Sequence, residues 1–209
     1  MQARPGEMRS AFNAALAVGV ASLAAAFLIG FGARPAILLS HAGLDDALFV
    51  RLARSLAAGQ WLGPYDHTTL VKGPGFPAFL TLNNLAGLPY PVGVALFHLA
   101  CSGFVAWVVA RLLLSRLAGV ALFAALLIMP PIYAGDLMRV NRELFYTSLT
   151  IGFLGAALAL ASGRGMHRGA AAVLAGGLFA WTWLSREEGV WLLPAILILA
   201  LAPLFAGEQ

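Results

Sequence analysis

Two adjacent carboxylates, Asp45 and Asp46, open a stretch in which Leu44, Leu48, Leu52 and Leu56 recur every four residues. Further on stands the chain's one lysine, Lys72, just ahead of a Gly73-Pro74-Gly75 turn. Arg139 and Arg142 precede Glu143, and a later polar break reads Ser185-Arg186-Glu187-Glu188. His41 and His67 flank the first of these segments. Carboxylates accept protons and hydrogen bonds; ammonium and guanidinium groups hold anions. All of these residues stand beside long apolar runs, where a charge is costly unless it is paired or used. Plainer accounts exist for each. An aspartate at a helix start caps it and meets the helix dipole favourably, though that account needs one aspartate and finds two. A lone lysine beside apolar sequence snorkels to the interface.

The elements that must position these residues are apolar. The 209-residue chain is 61% hydrophobic and 11% charged, and its mean hydropathy of +0.86 lies well above that of ordinary soluble domains. A spanning helix needs about 20 apolar residues. Six runs approach this: Ala11 to Phe31, Val92 to Leu114, Leu117 to Tyr133, Leu144 to Ala161, Ala170 to Leu184 and Val190 to Phe205. The expectation is an all-α integral membrane protein of about six spans, residues 1–209 forming one transmembrane domain. Arg4 and Arg9 precede the first run as in a secretory signal, but its length favours an uncleaved span. The sole cysteine, Cys101, falls inside the second run, which excludes an internal disulfide and reads as a small core residue. The basic residues are scattered singly, so the pI near 9.8 does not describe a nucleic-acid surface.

With the N-terminus in the cytoplasm, arginines do not decide the sidedness, but the acids divide unevenly. Asp45, Asp46, Asp66, Asp136, Glu143, Glu187 and Glu188, seven of nine carboxylates, fall on the outer side. The first outer loop, 32–90, begins with a connection of about forty residues, a length that is usually functional or disordered. Its leucine spacing, with Asp45, Asp46, Arg51 and Arg54 largely off the stripe, predicts an amphipathic helix lying on the membrane and ending near Gly59. Trp61 and Tyr65 follow as interfacial anchors. After the turn at Lys72, Phe76 to Leu88 is too short to cross and reads as a second surface or half-inserted helix.

The pattern "DDALFVRLARSLAAGQW" followed by "HTTLVKGPGFPAFL" resembles the first outer loop of GT-C glycosyltransferases, the membrane enzymes that include protein O-mannosyltransferases and lipid A aminoarabinose transferases. Asp45-Asp46 with Phe49, Gly59-Gln60-Trp61, and Lys72-Gly73-Pro74 with Phe76 and Pro77 carry the likeness, over about fifty residues. The resemblance implies a polyprenyl-phosphate-linked sugar donor, a lipid, glycan or protein acceptor, and transfer at the outer face of a bacterial inner membrane. Asp45 matches the family's general base, taking the acceptor hydroxyl's proton. Asp46 would orient the acceptor or cap the helix. Lys72 would stabilise the lipid phosphate as it leaves, and His67, close to it in sequence, is an acceptor or phosphate contact. Family members carry more spans after the sixth, so the resemblance further implies either the N-terminal portion of a longer protein or a short relative.

The later outer segments carry further candidates. Arg139 and Glu143, four apart, fit an intrahelical ion pair, leaving Arg142 as the better phosphate contact. Ser185 and Glu188 fit a capping box, leaving Arg186 and Glu187 for substrate. His98, within the second run, reads as a packing or helix-to-helix hydrogen-bonding histidine. His67, Asp45 and Asp66 lack tight ligand spacing, so neither a metal nor another cofactor is expected. Two other classes stay open: a non-catalytic membrane subunit that binds polyprenyl phosphate, and, less well matched for want of an internal repeat, a small transporter.

Overall fold

The computed structural model describes residues 5–37, 45–64, 72–128, 139–163, 166–194 and 196–198. His41, Tyr65, Asp66, His67 and Asp136 lie outside them. Among the described residues regular structure is helical, apart from one parallel bridge between Ile37 and Arg139. The helices are α1 (Pro5–Gly32), α2 (Asp46–Ala57), α3 (Gly75–Leu85), α4 (Tyr90–Leu112), α5 (Arg116–Leu127), α6 (Glu143–Ser162) and α7 (Arg168–Ser185), followed by a 3-10 turn, Glu187–Leu192.

Three of them are long and apolar enough to cross a membrane: α1 from Glu7 to Gly32, α4 and α6. The other expected spans differ for local reasons. The third run yields a 12-residue helix, α5, and its continuation past Ile128 lies outside the described residues. α7 has 18 residues, but Arg168, three glycines, Thr182 and Ser185 dilute its apolar character. The sixth run begins as a 3-10 turn. The short helices of the first outer loop fall over Asp46–Ala57, where the leucine spacing predicts one, and over Gly75–Leu85, within the short apolar stretch that follows the turn.

α4 and α6 form the centre of the molecule. About half of their apolar stretches is buried, 50% and 56%, against 11% for α1, which packs peripherally. Small residues let the two central helices approach: a Cβ on Gly152 would lie 3.0 Å from Cys101 Sγ, and one on Gly155 would lie 3.1 Å from Val105 Cα. Within this core His98 is fully buried. Its Nδ1 lies 2.9 Å from Ser148 Oγ and its Nε2 3.2 Å from the Leu126 carbonyl oxygen, joining α4 to α6 and α5. The histidine is thus the interhelical hydrogen-bonding residue expected.

At one end of this bundle the chain gathers its polar segments. Tyr90 Oη donates to the Asn141 carbonyl at 2.6 Å, and Val140 N–H donates to the Ile37 carbonyl at 3.1 Å. These contacts tie the starts of α4 and α6 to the segment leaving α1. Beneath them Phe49, Phe76, Phe79, Phe97, Phe145 and Trp181 interlock from α2, α3, α4, α6 and α7, with Phe79 and Phe145 stacked at 4.3 Å between centroids. Such pairs add about 0.5–1.5 kcal/mol each beyond area burial. This aromatic layer holds the two short helices against the long ones.

Candidate functional site

α2 turns a different face inward from the leucine stripe. Asp46, Phe49, Leu52 and Ala53 are buried, while Leu48 and Leu56 are only partly covered. The buried face therefore includes a carboxylate. Asp46 is 2% exposed and is held bidentately by Arg139, Nε to Oδ2 at 3.0 Å and Nη2 to Oδ1 at 2.7 Å. A buried carboxylate is tolerable when a guanidinium satisfies both oxygens. With its oxygens so engaged, Asp46 serves as the anchor of Arg139 rather than as an acceptor-facing carboxylate.

Asp45 stands at the N-cap but does not cap. Its backbone is already helical, φ −74° and ψ −6°, and its side chain accepts nothing from the first turn. Asp45 Oδ2 instead lies 2.6 Å from Lys72 Nζ. The lysine is more covered than the carboxylate, with side-chain exposures of 16% and 41%. So the simple capping account of the aspartate pair fails for both members: one reaches out to Lys72, the other inward to Arg139.

What places Lys72 is the turn after it. A Cβ on Gly73 would lie 2.0 Å from the Leu184 carbonyl oxygen, and one on Gly75 would lie 2.3 Å from Ser185 Oγ. Neither glycine has a positive φ. Their requirement is space, because the turn lies directly on the last residues of α7. Trp181 Nε1–H donates to the Gly75 carbonyl at 2.9 Å, locking the turn from the same helix. An apolar groove of about 350 Å³ opens beside it, walled by Trp61, Pro74, Ala78, Gly177, Trp181 and Leu184.

The remaining candidate cations are committed to the fold. Arg139 and Glu143 do not pair within a helix, because α6 begins at Glu143 and Arg139 belongs to the bridge that precedes it. Arg142 is not left over: its Nη1 donates to the Ser185 carbonyl at 3.0 Å, its guanidinium lies 5.7 Å from the Phe49 ring centroid, and Glu187 Oε2 is 4.0 Å from its Nη2. A cation on the last carbonyls of α7 meets the negative end of that helix. Arg186 is flanked by acids, Nη1 at 2.6 Å from Glu143 Oε2 and Nε at 2.5 Å from Glu188 Oε2, and lies over the Tyr146 ring. Glu187 is the most exposed carboxylate of the group, ahead of Glu143 and Glu188.

The capping box is absent. Ser185 is the last residue of α7, and its hydroxyl donates to the Trp181 carbonyl at 2.6 Å. Glu188 answers Arg186 instead. Burial acts to raise the Glu188 pKa, but the hydrogen bond from Arg186, and then the attraction of Arg186 and Arg142, outweigh it and hold the carboxyl below its ordinary range.

Asp45, Lys72, Arg142, Arg186 and Glu187 are thus brought to one end of the bundle, with Asp46 and Arg139 as the strut beneath. His67 lies outside the described residues. Among the described residues no three His, Cys, Asp or Glu side chains gather as metal ligands. Sequence reasoning missed three participants: Trp181, and Gly73 and Gly75, which it read only as turn formers. The two glycines around one proline were the available signal of close approach, though not of what they approach. No protein-family model, curated protein or solved structure matches this chain.

Proposed function

We propose that this chain is a membrane glycosyltransferase of GT-C type, or its catalytic N-terminal part, transferring a sugar from a polyprenyl-phosphate carrier to an acceptor hydroxyl. The carrying observation is the Asp45–Lys72 contact at 2.6 Å, set in a turn that also walls an apolar groove. A carboxylate, a cation and an apolar channel are the three things that a lipid-phosphate sugar donor and a hydroxyl acceptor need at one place.

In this reading the donor's lipid tail lies along Trp61 and Trp181, and its phosphate competes with Asp45 for the Lys72 ammonium. Release of the carboxylate frees it to take the acceptor hydroxyl's proton. The acceptor oxygen then bonds to the anomeric carbon as the bond from that carbon to the phosphate oxygen breaks, and the electron pair leaves on the phosphate, against Lys72. A single displacement inverts the anomeric centre. Placement follows the same logic: the six apolar runs cross a bacterial inner membrane with the charged end outside the cytoplasm, the third run needing residues beyond Ile128 to complete its passage.

Asp45→Asn tests the assignment. Transfer from a radiolabelled polyprenyl-phosphate sugar should be lost while membrane insertion is retained; undiminished transfer would overturn the role of Asp45. One observation favours a second reading. Arg139, Arg142 and Arg186 are all engaged internally, which leaves Lys72 to meet the phosphate and suits a subunit that binds polyprenyl phosphate without turnover. Binding of the lipid by the wild-type chain without any sugar transfer would select that reading.

A further inference from the structure

We propose that the groove between α1, α4 and α5 binds one acyl chain of an anionic phospholipid, with Arg116 and Arg111 holding its headgroup. The inference rests on the membrane placement of α1 and α4 and is independent of sugar transfer, because this groove opens at the opposite end of the bundle from Asp45 and Lys72.

The groove has a volume of about 340 Å³ and is walled by small and apolar residues, among them Ala24, Gly103, Ala106, Gly119 and Phe123, with Arg116 in its lining. Its floor is tight: a Cβ on Gly119 would lie 2.8 Å from the Ala106 carbonyl oxygen, so α4 and α5 meet there. Its interior is open at Gly103, where an added Cβ would meet only Phe123 Cε2, at 3.9 Å. Along α4 the lining runs from Leu99 to Ala110, a rise of about 16 Å, which is roughly one leaflet of a hydrocarbon core about 30 Å thick. The groove therefore has the depth of a single lipid chain entering from one side.

The charge at its mouth decides which lipid. Arg116 is exposed and opens α5, where the positive end of the helix disfavours a cation. Arg111 lies with its guanidinium 5.8 Å from the ring centroid of Trp107, a residue that also lines the groove. Among the described residues neither arginine has a carboxylate partner. Two unneutralised guanidinia over a leaflet-deep apolar slot match a phosphate-bearing headgroup of net negative charge.

The experiment is native mass spectrometry of the purified full chain, offered phosphatidylglycerol or phosphatidylcholine with matched acyl chains. One phosphatidylglycerol should be retained per chain, with a preference over phosphatidylcholine of about five-fold for each arginine. Arg116→Gln, at an exposed position that should not disturb folding, should lower that preference, and Arg111→Gln together with it should abolish it. Gly103→Leu, which fills the slot, should eliminate retention of both lipids. Equal retention of the two lipids by the wild type would overturn the proposal, as would a preference unchanged in Arg116→Gln. Concentration-dependent dimerisation that Gly103→Leu removes would also overturn it, by assigning the groove to a second copy of the chain.

Discussion

Lys72 Nζ and Asp45 Oδ2 stand 2.6 Å apart, joining the turn before α3 to the start of α2. The pair brings together the one lysine of the chain and the one member of the aspartate pair that is not buried. Neither group is placed by its own helix: Asp45 declines the capping position, and Lys72 is carried by a turn that fits α7 through two glycines.

A partly exposed ion pair contributes at most about 1 kcal/mol, so Lys72→Ala should move the thermal midpoint little. Binding of a polyprenyl phosphate, followed by intrinsic tryptophan fluorescence of Trp61 and Trp181, should fall at least ten-fold, on the order of 1.4 kcal/mol. Unchanged binding would return Lys72 to the role of a snorkelling interfacial residue.

Gly73→Ala and Gly75→Ala should each cost about 1–3 kcal/mol, the usual penalty of overpacking, since the new methyl would meet Leu184 or Ser185. Gly176→Ala is the control: its Cβ meets nothing, and the helix gains about 1 kcal/mol of propensity. Thermal unfolding in detergent measures all three, and equal midpoints for Gly73→Ala and Gly176→Ala would contradict the docking of the turn on α7.

Breaking the buried Asp46–Arg139 pair from one side removes both charge-assisted hydrogen bonds between the two groups. Asp46→Ala should destabilise by about 3 kcal/mol, whereas Asp46→Leu with Arg139→Met, which removes both charges, should cost less than the single change. A double-variant cycle with additive losses would show that the two residues do not act as a unit.

His98→Leu removes the contacts to Ser148 and to the Leu126 carbonyl. Ser148 keeps its own bond to the Leu144 carbonyl at 2.7 Å, so the loss should be modest, about 1 kcal/mol, as for other hydrogen bonds between membrane helices. The observable is the midpoint of unfolding in mixed detergents, and an unshifted midpoint would mean that α4, α5 and α6 are held by packing alone.

Glu188 provides a pH signature. Its folded pKa lies below the ordinary value of 4.5, so the stability it contributes is present above that value and is lost as pH falls through the lower folded one. The wild type should therefore lose more stability than Glu188→Gln on acidification from about pH 5 to about pH 3. Parallel pH profiles would show that the Arg186 contact does not bear on folding.

The helices themselves were legible because their signal is local. Apolar runs and their polar interruptions located α1, α4, α5, α6 and α7, leucine spacing placed α2, and a short apolar stretch after the turn placed α3. That one end of the molecule would be rich in acids was equally plain, since alternation of the runs sorts the loops. Partners were another matter. Arg139 with Glu143, and Ser185 with Glu188, have the spacing of familiar local contacts, yet α6 starts too late for the first pair and α7 ends too soon for the second.

Which face of α2 is buried, which aspartate meets Lys72, and why Gly73 and Gly75 must be glycines were decided by contacts between segments far apart in the chain. Hydrophobic periodicity reports where a helix forms and roughly how it faces. It does not distinguish an aspartate that a distant guanidinium has made fit for burial from one left facing outward, because that difference in free energy exists only once Arg139 and Lys72 have arrived.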